Sequence, residues 1–546
     1  MTIPNTVSEF SQLAAKEFLQ TVVFIDDRIY GRKDGSVSEP KQASMPKGRP
    51  HALKSADQKI SSEVNVNIEE SDQEEYSPRE IVTSFAKKQI ICSLYQPERT
   101  AKFSGKSDVF SLCLAADIVI VDWDLYGDAG KKALELVDEL IQRAVTDVPE
   151  QLRLILIYTD QINLFDIGDQ LYEKIRRNIG DKDLSVEDKG LAFHTLNSRI
   201  SILGKENRKR SEEYKNHEVP EKKLADKAIE EFAKLASGLL HAATLLGLAE
   251  IKKNSRKILS KFNSSLDPAF LTHRAMSLGS DDASAHIIPL LVSEIEAVLE
   301  DALSSPLITE QLITDWCMNV WEPGSPANDL LPGQNPTDIR NIATDFCLKG
   351  EKAKEKNNQI LKLNSNQSVR KFSKLLLTSE DAISNHEFSH LMTSRTFYGN
   401  APKTLKLGSV IHDVESDRYL LCIQPVCDSV RLDDKRTFIF VHLTNTNQSP
   451  GNYASHVVIK ENGEAIELYY QPKSFKCYTA EFLPDTDTKQ VQTCKSETHF
   501  VDTNGKKYVW LDQLKTSHAQ RAVERYAREL SRVGLMESEW LRRLDK

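Results

Sequence analysis

The stretch that decides the fold of the first part of the chain is "ADIVIVDWDLYGDAG", residues 116–130. Its four consecutive β-branched residues, Ile118 to Val121, predict a strand that is buried on both faces, as strands of parallel sheets are. The strand runs directly into Asp122, and Asp124 follows. A carboxylate at the end of a buried strand is costly unless a cation lies nearby. The stretch therefore predicts either a helix cap or a charged site at the carboxyl edge of an open α/β sheet, where such sheets bind ligands.

Four further segments with strand character surround this one and alternate with helical patterns. They are "TVVFIDDRI" (21–29), "QIICSLY" (89–95), "LRLILIY" (152–158) and "SRISILGK" (198–205). Five short strands separated by helices predict a doubly wound parallel sheet, with the strand order 2-1-3-4-5. Right-handed crossovers place all the carboxyl ends of these strands on one edge.

Chemically useful side chains end four of the predicted strands. They are Asp26 and Asp27 after strand one, Asp122 after strand three, Thr159 or Tyr158 at the end of strand four, and Lys205 at the end of strand five. Three carboxylates brought together repel one another, raise one another's pKa values and require a hard cation such as Mg²⁺. The same geometry allows one carboxylate to attack a phosphoryl group as a nucleophile, with Lys205 offsetting the developing charge.

With these residues the segment from about 18 to 210 resembles the receiver domain of response regulators, which has a flavodoxin-like fold. The stretch 116–130 matches the receiver strand-three pattern in spacing, from Asp117 to Gly127 and Gly130. The resemblance implies the following roles: Asp122 as the phosphoacceptor, Asp26 and Asp27 as the acidic pair that binds Mg²⁺, the backbone carbonyl of Asp124 as a further metal ligand, Thr159 as the switch hydroxyl, and Lys205 as the phosphate-contacting lysine.

Three features depart from the receiver pattern. Tyr126 stands where proline is usual, Glu206 follows Lys205 where proline is common, and a long insertion follows the acidic pair. The insertion, Gly31 to Ser77, is rich in Lys, Ser, Pro, Gly and Glu, and we predict that it is disordered.

The rest of the chain has different sequence patterns, first helical and then typical of short strands. We predict a receiver-like α/β domain over 1–210, a helical domain over 211–400, a small β-barrel or sandwich over 401–514 and a C-terminal helix over 515–546. The strings "LKLGSVIHD", "YLLCIQPVCDSVR" and "LSRVGLMESEWLRRL" resemble the back half of response-receiver proteins from bacterial defence loci. That resemblance implies a histidine-kinase-type ATPase as partner and a role in phage defence.

The segment "HEFSH", residues 386–390, is a rival signal because it matches HExxH. On a helix this spacing puts His386 and His390 on one face for zinc, with Glu387 as general base. The polar residues upstream and the early helix end favour a surface coincidence over a zinc hydrolase.

Composition and charge argue against several other classes of protein. The net charge of −9 argues against bulk nucleic-acid binding, and the basic face of "EIKKNSRKILSKF" is interpreted as a solvated helix face, so nucleic acid is possible but not favoured. The eight cysteines form no CxxC pair and predict reduced core thiols, with Cys427 in the core of the β domain. No signal peptide or membrane span is evident, which predicts a cytoplasmic protein.

The sequence thus predicts a multidomain signalling protein rather than an enzyme. In this interpretation Asp122 accepts a phosphoryl group within a two-component phosphorelay, with Mg²⁺ as cofactor. The alternatives are a degenerate pseudo-receiver that serves only as a docking scaffold for a protein partner, and the zinc hydrolase.

Overall fold

The structure is a computed structural model of the 546-residue chain. The residues that it describes are 4–30, 77–103, 105, 107–146, 152–180, 184–195, 197–206, 210–276, 286–303, 307–353, 374–378, 383–399, 401–445, 456–461, 464–470, 476–494, 498–531 and 542. The chain divides into two compact units, one made of Met1–Leu266 and Ile288–Trp316 and the other of Asp267–Ile287 and Cys317–Lys546.

The first unit is built on a seven-stranded sheet. Its strands are β1 (Thr21–Ile25), β2 (Ile91–Tyr95), β3 (Ile118–Val121), β4 (Arg153–Thr159), β5 (Ser185–Glu187), β6 (Ala192–His194) and β7 (Ser198–Gly204). They lie in the order β2-β1-β3-β4-β7-β6-β5. Strands β2, β1, β3, β4 and β7 are parallel, whereas β6 is antiparallel to both β7 and β5.

The five predicted strands hold the predicted order 2-1-3-4-5, but the sheet as a whole differs from the prediction. The purely parallel five-stranded sheet is wrong, because β5 and β6 extend it as an antiparallel edge. Each of these two strands has three residues, which is too short for an alternating hydrophobic pattern to be recognised in the sequence.

Fourteen helices lie among the described residues. They are α1 (Val7–Phe18), α2 (Pro78–Ala86), α3 (Asp108–Ala115), α4 (Lys131–Thr146), α5 (Leu164–Ile179), α6 (Leu224–Leu235), α7 (Leu239–Lys261), α8 (Asp267–Met276), α9 (Ile287–Ala302), α10 (Glu310–Asp315), α11 (Ser325–Leu330), α12 (Pro336–Lys349), α13 (Ile383–Thr393) and α14 (Thr516–Leu530). Nine of them, α6 to α14, lie after residue 210, and the region before the second sheet is helical as predicted.

Helices cover both faces of the first sheet. Ile118 and Ile120 of β3 contribute to a core with α1, α2, α6 and α7, and Val119 and Val121 contribute to a second core with α3, α4 and α5. None of the four side chains is exposed. Burial of each contributes roughly 1.5–3 kcal/mol, and this two-sided burial explains why β3 has no polar residue.

Asp117 joins the starts of two strands. Its Oδ2 accepts hydrogen bonds from the amides of Gln20 and Thr21 at 2.8 and 3.0 Å, and from the Thr21 hydroxyl at 3.2 Å. The amide of Asp117 in turn donates to the Thr21 hydroxyl oxygen at 3.1 Å. These bonds set the start of β1 against the start of β3, and so help to determine which residues reach the other end of the sheet.

The second unit contains an eight-stranded antiparallel sheet. Its strands are β8 (Ser409–Asp413), β9 (Arg418–Cys422), β10 (Arg436–Asn445), β11 (His456–Glu461), β12 (Glu464–Tyr470), β13 (Cys477–Phe482), β14 (His499–Val501) and β15 (Lys507–Gln513). Seven of them follow the order β11-β12-β10-β9-β8-β15-β14, and β13 also pairs with β10.

Six of these strands form a ring. A bridge between Phe482 and Asp502 connects the end of β13 to the residue after β14, and the amide of Thr503 donates to Glu481 O at 2.8 Å. Strands β8, β9, β10, β13, β14 and β15 all contribute side chains to the core inside the ring, which includes Phe440 and Tyr508. The prediction of a small C-terminal β domain is therefore correct at the level of an antiparallel sheet.

The predicted C-terminal helix is α14, which packs on the outer side of this sheet. Ala519, Ala522 and Tyr526 lie in a core with residues of β8 to β12, and the Tyr470 hydroxyl donates to Ala522 O at 2.8 Å. Among the described residues no helix has both the length and the apolar character needed to cross a membrane.

The predicted disordered insertion, Gly31 to Ser77, lies outside the described residues except for Ser77, which is the N-cap of α2.

We predict that Asp117→Ala destabilises the protein by about 1–3 kcal/mol, because it leaves the amides of Gln20 and Thr21 without an acceptor. The midpoint of urea unfolding should fall accordingly. Asp108→Ala, which removes an exposed carboxylate from the first turn of α3, is the matched control. Equal effects of the two variants would show that Asp117 does not hold the strands together.

Candidate functional site

The carboxyl ends of the parallel strands meet at one edge of the first sheet. The backbone hydrogen bonding runs past the strands, since the amide of Asp122 donates to Ile25 O at 2.9 Å and the amide of Lys205 donates to Thr159 O at 2.7 Å. The side chains of Asp122 and Lys205 are thus positioned by the sheet itself and not by a mobile loop.

Three carboxylates converge at this edge. One oxygen each of Asp26, Asp27 and Asp122 lies within 4.8 Å of the others. Asp26 and Asp122 are fully buried, and Asp27 is half-buried. In the described part of the chain this is the one cluster of at least three acidic, histidine or cysteine side chains that is close enough to hold a metal ion. Carboxylate oxygens at this spacing suit a hard divalent cation such as Mg²⁺.

Two cations lie against the acidic cluster. The buried Lys205 ammonium donates to Oδ2 of Asp26 and to Oδ2 of Asp122, both at 2.9 Å. The guanidinium of Arg28 donates to the same Oδ2 of Asp122 at 2.9 Å and to Asp160 at 2.8 Å. Buried carboxylates are tolerated when they are paired and hydrogen-bonded, and here the chain supplies both partners itself.

The pKa values at this edge follow from burial and from these pairs. Burial raises the pKa of Asp122, and the neighbouring Asp26 carboxylate raises it further against the opposing effects of Lys205 and Arg28. Burial acts to lower the pKa of Lys205, but Asp122 and Asp26 outweigh it, so that the pKa lies above its ordinary value. The lysine is therefore held charged beside a carboxylate that is destabilised by its surroundings.

One oxygen of the central carboxylate has no partner. Oδ1 of Asp122 is buried and accepts no hydrogen bond from the described residues, while Oδ2 accepts from both Lys205 and Arg28. A buried acceptor without a donor costs about 1–3 kcal/mol. A carboxylate oxygen without a donor can bind a metal ion or can act as a nucleophile. The residues present therefore fit both the Mg²⁺ ion and the phosphoryl group that the sequence predicts here.

The structure separates the two hydroxyl candidates at the end of β4. The Tyr158 hydroxyl donates to Val219 O at 2.7 Å, and its ring belongs to the core that involves α1, α2 and α6. Thr159 is buried at the last position of β4, and its Oγ1 accepts from the amide of Gln161 at 3.3 Å. Thr159 is thus the hydroxyl at the carboxyl edge, since successive side chains of a strand point to opposite faces.

Asp124 has a different role for its side chain. Its carboxylate accepts from the amide of Ala129 at 3.0 Å and lies 3.5 Å from the side-chain amide of Gln161, so it orders the loop after β3. It is not among the three clustered carboxylates.

Tyr126 explains why the usual proline is missing. Its φ angle is +60°, which a proline ring cannot adopt, and its amide donates to Asp27 Oδ2 at 2.9 Å. A proline would have no N–H for this bond. Tyr126 therefore fixes the least buried of the three carboxylates through its backbone.

Sequence reasoning missed three charged residues of the site: Arg28, Asp160 and Arg210. Arg210 donates to the carbonyls of Lys205 and Gln161 at 2.6 and 2.7 Å, and a Cβ on Gly204 would lie 2.2 Å from its guanidinium. Arg28 and Asp160 could have been noticed, because Arg28 comes three residues after the end of β1 and Asp160 directly follows β4. No spacing rule marks Arg210.

The HExxH segment lies on α13, but each of its three side chains has its own partner. His386 Nε2 is 2.8 Å from Glu467, His390 Nε2 is 2.9 Å from Asp512, and Glu387 pairs with Lys460 at 2.8 Å.

Two lysines of the basic face of α7 make contacts within the first unit. Lys252 lies 3.7 Å from the centroid of the Phe18 ring, and Lys253 pairs with Glu17 at 2.6 Å. Part of the face interpreted as solvated therefore packs within the unit instead.

The prediction that Cys427 lies in the β-domain core is wrong. Cys427 is exposed in a single 3-10 turn, Val426–Ser429, because the chain leaves the sheet after β9 at Pro425. Cys422 of β9 is the buried thiol of this segment.

We predict that the purified full-length protein contains no stoichiometric zinc, because a carboxylate engages each imidazole of the HExxH segment. Elemental analysis by mass spectrometry checks this for the wild type, for His386→Ala and for the control His518→Ala. Stoichiometric zinc that disappears only in His386→Ala would establish the zinc site instead.

Comparison with known proteins agrees with this geometry. Residues 18–210 match the family model described as the response receiver domain. The searches of curated proteins and of solved structures give no match. The matched range contains the whole parallel sheet together with its three clustered carboxylates and Lys205. Residues 18–210 of this chain therefore form a receiver-like domain.

Proposed function

We propose that the protein is a signalling protein whose receiver-like domain accepts a phosphoryl group on Asp122. The observation that carries the proposal is the unpartnered Oδ1 of Asp122, buried within a cluster of three carboxylates while Lys205 holds Oδ2 at 2.9 Å. A receiver-like domain has a regulatory role, and phosphorylation of this oxygen would be the regulatory event.

In the proposed step, Oδ1 of Asp122 attacks the phosphorus atom of a phosphodonor. A new O–P bond forms, the bond between phosphorus and the leaving group breaks, and the leaving group departs with its electron pair. The product is an acyl phosphate. Lys205 can then offset the added negative charge, because its ammonium already lies between Asp26 and Asp122. The hydroxyl of Thr159 at the same edge is suited to bond a phosphate oxygen.

Asp26, Asp27 and Asp122 would hold Mg²⁺, with the backbone carbonyl of Asp124 as the further ligand that the receiver resemblance implies. When bound, the ion neutralises the negative charge that develops on the phosphoryl oxygens.

The proposed phosphodonor is the phosphohistidine of a histidine-kinase-type partner, and the proposed setting is phage defence in the cytoplasm. Support for the partner and for the setting comes from the sequence resemblance of the C-terminal strings. The site itself supports only a phosphoryl donor.

One observation favours a second function, a docking scaffold that is never phosphorylated. Arg28 and Lys205 both donate to Oδ2 of Asp122, so the acidic cluster has internal charge compensation without a metal ion. In this case the edge of the sheet serves as a binding surface for a protein partner.

We predict that wild-type protein is stabilised by Mg²⁺ and is labelled by acetyl phosphate, and that Asp122→Asn abolishes the labelling. At a concentration ten times the Kd, Mg²⁺ should stabilise the wild type by about 1.4 kcal/mol, because it binds only the folded site. Thermal unfolding with and without Mg²⁺ and transfer of radioactive phosphate measure the two effects.

The control variant is Asp108→Asn, which changes an exposed carboxylate in the first turn of α3, outside the cluster. It should be labelled like the wild type. If wild-type protein shows neither stabilisation nor labelling while its fold is intact, the phosphoryl-acceptor function is wrong and the docking scaffold is supported.

We predict that Arg28→Gln tightens Mg²⁺ binding about fivefold, because it removes a positive charge 2.9 Å from Oδ2 of Asp122, worth about 1 kcal/mol at this partly exposed position. Calorimetric titration with Mg²⁺ measures the change.

Arg79→Gln removes an exposed arginine from α2 and should leave the Mg²⁺ affinity unchanged. Weaker Mg²⁺ binding by Arg28→Gln would contradict the competition and show that the guanidinium helps to build the metal site.

A further inference from the structure

The second unit has a pocket in which cationic and aromatic side chains converge. We define the 395–406 pocket by Arg395, Phe397, Tyr398, Lys403, Lys406 and Trp510. It lies between the segment that follows α13 and strand β15, and its volume is about 380 Å³. That volume is within the range of about 300–1,000 Å³ that is usual for small-molecule sites.

Aromatic rings hold two of the three cations in place. The Lys403 ammonium is 4.1 Å from the centroid of the Phe397 ring and 5.3 Å from that of Trp510. The Arg395 guanidinium is 5.0 Å from the Phe397 centroid. The two rings meet edge to face, with centroids 5.3 Å apart. Such cation–π contacts position a charge without neutralising it.

In the part of the chain that the structure describes, the positive charge of the pocket has no acidic partner. Among the described residues, none of Arg395, Lys403 and Lys406 forms an ion pair with a carboxylate. The Lys403 ammonium donates a hydrogen bond to the carbonyl of Gly399 at 3.4 Å. Burial lowers the pKa of Lys406, and the nearby Arg395 guanidinium lowers it further. In a chain whose net charge is −9, a cluster of three cations with no carboxylate partner among the described residues favours binding of an external anion.

We propose that the 395–406 pocket binds a nucleotide, with its phosphates on Arg395, Lys403 and Lys406 and its base on the aromatic side chains. The cations would bind the phosphates, since charge-assisted hydrogen bonds to phosphate are stronger than hydrogen bonds between neutral groups. Tyr398 would stack on the base, because Tyr398 is 90% exposed at the pocket and its ring offers a face for stacking. This site lies in the second unit and is independent of the phosphoryl chemistry proposed for Asp122.

The dimensions favour a single nucleotide over a nucleic-acid strand. The cations are gathered in one pocket of about 380 Å³, whereas a strand needs a groove that follows several phosphates. The shared phosphate chemistry also admits free pyrophosphate, which would use the cations but not Tyr398.

The test is equilibrium dialysis of the full-length protein with radioactive ATP at low salt. The buffer contains EDTA, so that no metal ion bound at the acidic cluster contributes. Wild-type protein should bind ATP, and the double variant Lys403→Gln/Lys406→Gln should bind it at least about tenfold more weakly. Lys507→Gln, which changes an exposed lysine at the start of β15, is the control and should bind like the wild type. Thermal unfolding confirms that the variants are folded.

A second arm distinguishes the ligands. Tyr398→Ala should weaken ATP binding about tenfold and leave pyrophosphate binding unchanged, because only the base stacks. The proposal is overturned if folded wild-type protein binds no ATP, if the double variant binds it like the wild type, or if pyrophosphate competes as well as ATP. An oligothymidylate that binds far more tightly than any mononucleotide would also overturn it, in favour of a single-strand interface.

Discussion

The first unit depends on one buried contact, the Lys205 ammonium between Asp26 and Asp122. Both bonds are 2.9 Å long and connect the ends of β1, β3 and β7. Without the lysine, two fully buried carboxylates would face each other, at a cost of several kcal/mol. The parallel sheet brings these side chains together, and their pairing in turn makes that strand arrangement tolerable.

The same contact is asymmetric, and the asymmetry determines what the site can do. Lys205 and Arg28 both donate to Oδ2 of Asp122, which leaves Oδ1 without a donor. A fully satisfied carboxylate would be a structural ion pair. A buried oxygen that accepts no hydrogen bond instead favours the binding of a metal ion or a phosphoryl group, because binding removes the cost of the unsatisfied acceptor.

The two units place charge in opposite ways. At the edge of the first sheet, acidic side chains are compensated by cations of the chain itself. In the 395–406 pocket, Arg395 and Lys403 lie over aromatic rings, and all three cations lack carboxylate partners among the described residues. By contrast, the histidines of the HExxH segment are engaged by Glu467 and Asp512. A local sequence motif therefore does not tell whether its side chains are available to bind a ligand or are already paired within the chain.

The sequence by itself determined the five parallel strands and the residues at their ends. Strand β3 is recognisable because four consecutive β-branched residues favour a strand that is buried on both faces, and Asp122 is the residue that directly follows it. Only the tertiary structure decided the two edge strands β5 and β6, the position of Arg28 on Asp122, and the pocket that joins Lys403 to Trp510. Residues 28 and 122, like residues 403 and 510, are distant along the chain, and such pairs leave no periodic signal because folding alone brings them together.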